Sequence, residues 1–243
     1  MKLNINNFRD ISGYTNTEGK TMKPNMIFRG ASLDKITDEQ AKYMEDTLNI
    51  RHILDYRDQQ EANSKKDYPF EKAEYERISA LITSNNEAQG FDFGELLKKE
   101  MTPSHLTYMT NYLLDGYSHM PFNNPAYHRL FDLLLENDGC VYFHCSAGKD
   151  RTGIAGFLIM IALKMTEEDA IQEYLKSNAS LKDFVEGFYA SMNVPDEYRK
   201  YGDELLYVNE KNIQCTIKAI KEKYSSYDEF LEKEYGLDEN KRN

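Results

Sequence analysis

Cys140–Phe143 is a short apolar run and Ile154–Met165 a long one, and ten residues with glycines separate them. The pattern predicts a buried strand, a tight loop and a helix apolar on most sides. Upstream, Ile50–Asp55 reads as a strand ending in a carboxylate, and Glu71–Ala80 alternates like a second strand through Tyr75 and Ile78. In residues 3–30, short apolar pieces such as Met26-Ile27-Phe28 lie between Gly13, Gly19 and Pro24, which predicts a small antiparallel sheet margin. Helical spacing marks Ala41, Met44 and Leu48 after the capping-box form Thr37-Asp38-Glu39-Gln40. It recurs in Tyr127, Leu130, Phe131 and Leu134 after Pro125, and in Ile171, Tyr174 and Leu175 after a second box-like start at Thr166. Phe184, Val185, Phe188, Tyr189 and Met192 form another such face, and Ile213–Ile220 and Tyr227–Leu231 two more. Strands interleaved with helices predict an α/β fold with a central, largely parallel sheet flanked by helices.

Segment 83–121 is less regular: a loop at Ser84-Asn85-Asn86 and Gly90, a helix with Phe93, Leu96 and Leu97, then one with Leu106, Met109 and Leu113. It is expected to cover the site. No linker or repeat divides the 243 residues, so one domain over 1–243 is expected. The formal charge of −11 excludes a nucleic-acid binder. Cysteines at 140, 145 and 215 make no disulfide framework and point to a reducing compartment. The first residues lack the apolar core of a signal peptide, and the uncharged stretch Thr152–Leu163 is too short to be a transmembrane segment. A cytoplasmic location is expected; leaderless secretion would leave no mark in the sequence.

The loop itself, His144-Cys145-Ser146-Ala147-Gly148-Lys149-Asp150-Arg151-Thr152-Gly153, carries the chemistry. Cys145 and Arg151 bracket residues that can curl their N–H groups toward one point, with the positive end of a helix behind them. Ser146, Ala147, Gly148, Lys149 and Thr152 are therefore candidate phosphate-binding residues, and Arg151 a bidentate clamp. The same surroundings favour a thiolate, because helix N-termini and cations lower a free thiol's pKa from about 8.5. A nucleotide-binding loop is excluded: it needs glycine where Phe143 stands and Ser or Thr in place of Asp150. A purely structural cysteine has no use for the following Gly-Lys-Asp-Arg. Asp55 and Arg57, where a strand ends, are candidate supporting residues. His105, His119 and His128 form no ligand cluster with carboxylates, so no metal is implied.

The decapeptide resembles the signature of the cysteine-dependent phosphatases, His-Cys-x5-Arg-Ser/Thr. Its Ala-Gly-Lys-Asp-Arg-Thr-Gly form is most similar to a bacterial group of atypical tyrosine and lipid phosphatases. Asn7-Phe8-Arg9-Asp10, Phe28-Arg29-Gly30 and Asp55-Tyr56-Arg57 extend the likeness over nearly the whole chain, with Asp55-Tyr56-Arg57 standing where that group often has Asp-Leu-Arg. The resemblance implies a protein-tyrosine-phosphatase-like fold, a cysteinyl-phosphate intermediate on Cys145 and no cofactor. It implies support of the loop by Arg9 and Asp10, and a helical lid in the region 177–207; His144, pointing to the opposite face of the strand from Cys145, is expected to orient the loop through hydrogen bonds. For the proton donor it favours Asp150 over Asp115; the chain has no tryptophan for a Trp-Pro-Asp loop. Substrates would be phosphotyrosine proteins or, as the related loop of tensin-like enzymes implies, phosphoinositides. A rhodanese-type sulfurtransferase and a non-catalytic phospho-binding module are the other readings.

Overall fold

The computed structural model describes residues 1, 3–84, 102–192 and 194–243. Its strands are β1 (Arg9–Asp10), β2 (Ile27–Gly30), β3 (Ile50–Asp55), β4 (Glu74–Arg77) and β5 (Cys140–His144). They form a sheet of order β1-β2-β5-β3-β4. β1 is antiparallel to β2, and every other pair is parallel. The expected antiparallel margin is thus only β1, with an isolated bridge between Thr15 and Thr21. β2 belongs to the parallel body, because its apolar run is buried on both faces. The alternation over Glu71–Ala80 condenses to four paired residues, Glu74–Arg77.

The helices are α1 (Asp38–Asp46), α2 (Gln59–Ser64), α3 (Pro103–His119), α4 (Pro125–Glu136), α5 (Arg151–Ala162) and α6 (Glu167–Leu175). Then follow α7 (Ser177–Met192), α8 (Asp196–Leu206), α9 (Glu210–Lys223), α10 (Tyr227–Tyr235) and α11 (Glu239–Arg242). The expected capping box at Thr37 and Gln40 is made. At Thr166 the cap bond to Asp169 N forms, but the short Asp169 side chain takes the Thr166 hydroxyl instead of reaching back to the backbone. Asn137 ends α4 in the left-handed region, which returns the chain to β5. The predicted helix with Phe93, Leu96 and Leu97 lies outside the described residues.

Strand side chains alternate between two cores. Val141 and Phe143 pack under α4, α5, α9 and α10, whereas Cys140 and Tyr142 face the α1 side with Ile50 and Ile53. α5 is buried throughout Thr152–Ala162 and so runs through the interior. Residues 30, 55, 77 and 144 stand level in the pairing, which places the C-terminal ends of four parallel strands along one edge. The Cys145 loop emerges there, the usual place for a site in an open α/β sheet. Among the described residues, no helix is long and apolar enough to cross a membrane.

Candidate active site

The loop's shape begins with Gly148, whose φ of +67° is open to glycine at little cost. A Cβ there would lie 2.2 Å from the Gly30 carbonyl oxygen, so the loop rests directly on the end of β2. The Gly148 carbonyl is drawn outward by Asn7 Nδ2 at 2.7 Å and Arg29 Nη2 at 2.9 Å. The Ser146 carbonyl accepts from Ser32 N at 3.3 Å. Carbonyls held outward leave the amides on the inner side of the turn. At its end α5 begins with no side-chain cap from Asp150, so no cap side chain competes for the first helical N–H groups, of which that of Thr152 serves the Cys145 sulfur.

The outward pull is itself braced. Arg29, fully buried, donates from Nη1 to Glu173 at 2.7 Å, and Arg9 donates from Nε to the other Glu173 oxygen at 2.6 Å. Burial would push the Glu173 carboxyl up, but the Arg29 and Arg9 charges hold it below its ordinary value. Arg9 also bonds the Asn7 side chain and Ser177. Asp10 accepts from Ser12 N and Asn25 N and closes a turn, with no hydrogen bond to the Cys145 loop among the described residues. Glu173→Gln is expected to cost about 3–5 kcal/mol in denaturant unfolding, because buried guanidinium groups lose their counter-charge. A loss below about 1 kcal/mol would show that the carboxylate does not hold them.

Cys145 lies at the focus, 2% exposed. Burial raises a thiol's pKa, yet here the Arg151 charge and the hydroxyl and N–H of Thr152 bring it below the ordinary value. The Thr152 hydroxyl is fully buried and has no oxygen or nitrogen partner among the described residues. Arg151 is aimed by Glu61: Nη1 lies 2.5 Å from Oε2 and Nη2 lies 2.8 Å from Oε1. Burial would raise Glu61, but Arg151 and the Ser146 hydroxyl lower it to about 2. The Ser146 hydroxyl is spent on Glu61 at 2.7 Å, so this residue can offer phosphate only its backbone.

Lys149 lines the same cavity as Cys145 and Arg151, with its ammonium already engaged. Its ammonium donates to the Leu205 carbonyl at 3.0 Å and lies 2.9 and 2.8 Å from the two Asp150 oxygens. Asp150 Oδ1 also accepts the Tyr117 hydroxyl at 2.8 Å. A cavity of about 760 Å³ opens above Cys145, Ser146, Ala147, Asp150 and Arg151. Leu81 and Met120 wall one part of it, and Leu181, Phe184, Phe188 and Leu206 of α7 and α8 another. α7 and α8 carry their own apolar cluster, against which Ala147 packs, and Leu205 joins Leu106 and Met109 of α3. Residues of both α7 and α8 line one side of the cavity.

The sequence profile of the tyrosine phosphatase family matches residues 3–243. The chain belongs to that family. A Cupriavidus necator protein named as a tyrosine-protein phosphatase is 24% identical over 230 residues, covering 93% of this chain and 80% of its own. The triple specificity protein phosphatase PtpB of Mycobacterium tuberculosis is 25% identical over 202 residues, covering 72% and 67%. Among solved structures, PTPMT1 in complex with PI(5)P matches at a TM-score of 0.40 with 14% identity, covering 82% of this chain and 92% of that one. The catalytic domain of the PP-IP phosphatase SIW14 from S. cerevisiae matches at 0.36 with 12% identity, covering 87% and 91%.

In this tyrosine phosphatase, Asp55 and Arg57 pair at the end of β3 beside His144, and Arg57 also lines the cavity. Asp55 is fully buried and takes the Arg57 guanidinium at 2.8–3.1 Å and the Tyr75 hydroxyl at 2.6 Å. Burial raises the Asp55 carboxyl, and His144, Arg57 and Tyr75 more than reverse that. His144 is buried beside the same group, 3.8 Å from Asp55 and 3.2 Å from Asp67; burial opposes its charge, but the two carboxylates raise its pKa above the ordinary value. Asp55, Asp67 and His144 are close enough to hold a cation, but Arg57 already sits between the carboxylates, 2.6 Å from Asp67. His144 Nδ1 lies 3.2 Å from the Cys145 carbonyl, which ties the cluster to the loop. Asp115 lies apart, on α3, accepting Ser84 N. Cys140 begins the strand that Cys145 follows, about 16 Å away at ~3.3 Å per residue, beyond disulfide reach.

Glu61 escaped the sequence reading. Its role arises from α2 folding back on α5, ninety positions along the chain. Only the capping-box form of Asp58-Gln59-Gln60-Glu61 marked the spot. That box is made, and it sets the carboxylate at the start of the helix.

Proposed function

We propose that this phosphatase hydrolyses phosphotyrosine in proteins through a cysteinyl-phosphate on Cys145. The observation that carries the reading is a buried thiol with a lowered pKa, beside a guanidinium aimed by Glu61. In the first step the Cys145 sulfur bonds phosphorus, the P–O bond breaks, and Asp150 gives its proton to the leaving oxygen. In the second, water attacks phosphorus as Asp150 takes its proton, the S–P bond breaks, and thiolate and inorganic phosphate are released. Arg151 and the loop amides hold the phosphoryl oxygens in transit, and Thr152 holds the sulfur. His144, Asp55 and Arg57 brace the loop.

The apolar cavity walls suit an aromatic leaving group, and Lys149, the loop's cation for a second phosphate, is already engaged. Both points favour phosphotyrosine over a phosphoinositide. Free cysteines favour a reducing compartment such as the cytoplasm. Phosphate release should be measured from phosphotyrosine and phosphoserine peptides and phosphoinositides, with thiosulfate-to-cyanide sulfur transfer alongside. Preference for phosphotyrosine is expected. Release from phosphoinositides alone would move the substrate class to lipids, and sulfur transfer without phosphate release would overturn the reading.

Asp150→Asn is expected to slow aryl phosphates of high phenol pKa by about 10²–10³ and those of low phenol pKa far less. An activated phenolate departs without a proton. Asp115→Asn should change neither. A steeper dependence on phenol pKa in Asp115→Asn, with none in Asp150→Asn, would transfer the role.

A further inference from the structure

We propose that Tyr117 is a positioning residue for proton transfer, and that it fixes which oxygen of Asp150 carries the transferable proton. The inference rests on Asp150 as the proton donor. Asp150 is the cap residue before α5, and the Lys149 ammonium lies 2.9 and 2.8 Å from its two oxygens without choosing between them. The Tyr117 hydroxyl, from α3, donates to Oδ1 at 2.8 Å and commits that oxygen as an acceptor. Oδ2, with the Lys149 ammonium at 2.8 Å but without a tyrosine bond, is left to hold the proton that is handed on.

The hydroxyl is rigidly placed. Tyr117 and Tyr174 are both fully buried, and their oxygens are 2.6 Å apart. A phenol has one proton, and Tyr117 spends its own on Asp150, so Tyr174 must donate to Tyr117. Burial first, and Asp150 next, push both phenols well above their ordinary pKa, which keeps them neutral donors. The Tyr174 ring closes on Gly153, where a Cβ would come within 2.8 Å of it. The Tyr117 backbone is pinned in turn, its carbonyl accepting the Thr216 hydroxyl at 2.7 Å. A chain of two donors therefore ends on one carboxylate oxygen, each bond polarising the next.

The consequence is energetic as well as geometric. When Oδ2–H breaks and the leaving oxygen gains the proton, Asp150 becomes a carboxylate, and a hydrogen bond to a charged acceptor is stronger than one to a neutral acid. Tyr117 thus stabilises the transition state more than the ground state. When Asp150 later takes a proton from water, the same bond keeps Oδ2 facing it.

The test is a double-mutant cycle of Tyr117→Phe and Asp150→Asn on aryl phosphates of graded phenol pKa. Tyr117→Phe alone should lower kcat for poor leaving groups about ten- to a hundredfold, with much smaller change for good ones and an unaltered KM. In the Asp150→Asn background it should cost nothing further, because no proton is left to position. Tyr174→Phe, which leaves the Tyr117–Asp150 bond in place, should show a weaker form of the same loss. A uniform loss across leaving groups, or losses that multiply in the double variant, would make Tyr117 merely structural and overturn the inference. If Asp150→Asn itself shows no dependence on phenol pKa, the proton-donor assignment fails instead. If Asp150→Asn shows the dependence and Tyr117→Phe does not, only the inference fails.

Discussion

Cys145→Ser is expected to lower kcat for aryl phosphates by more than about 10⁴-fold while leaving tungstate binding within a few fold of wild type. The two halves have separate causes. Turnover needs an anionic nucleophile, and the Arg151 charge and Thr152 contacts that favour a thiolate cannot draw the proton from an alcohol at neutral pH. Binding uses the loop amides and Arg151, whose supports at Gly148 and Glu61 do not involve the sulfur. Because the thiol's pKa is lowered, thiolate is present in the wild type below the pH at which an ordinary cysteine ionises. Iodoacetamide should then inactivate the wild type at neutral pH, and bound phosphate should protect it. A serine variant that keeps a substantial share of turnover would exclude thiolate chemistry.

Arg151→Lys is expected to be nearly as damaging as Arg151→Ala, with kcat/KM lower by roughly 10²–10³, or about 3–4 kcal/mol. The side chain is read twice as a planar fork. Glu61 takes both terminal nitrogens from one side, and this fixes the plane in which the guanidinium meets the phosphoryl oxygens. An ammonium has one centre and cannot lie flat between two pairs of oxygens. Steady-state kinetics on one aryl phosphate settle the matter. A lysine variant with near-normal kcat/KM would reduce Arg151 to general positive charge.

The parts that were legible in the sequence are those that neighbouring residues determine. The strand, loop and helix around Cys145 declare themselves because two apolar runs flank a glycine-bearing turn. The capping box of α1 and the close of α4 at Asn137 are equally local. What stayed hidden depends on distant partners. Lys149 reads as a phosphate ligand until α8 brings the Leu205 carbonyl to it. Asp55 and Arg57 show themselves as charges at a strand end, but only Asp67 and His144 reveal that they face inward. β2 looked like part of an antiparallel margin because its partner β5 lies more than a hundred positions away.

That dependence on remote partners bears on when the site comes into being. Asn7, which draws the Gly148 carbonyl outward, is tied to Ser177, 170 positions along the chain. Glu173, which braces Arg29, lies 144 positions beyond it. Such contacts close large loops and form late in folding. A nascent chain that has emerged through Gly153 already displays every residue of the decapeptide, yet it lacks the Glu173 brace until α6 docks. The motif is therefore not portable. Grafted onto another strand–helix junction, residues 144–153 would bring a cysteine and an arginine but nothing to turn the Gly148 carbonyl away from the phosphate.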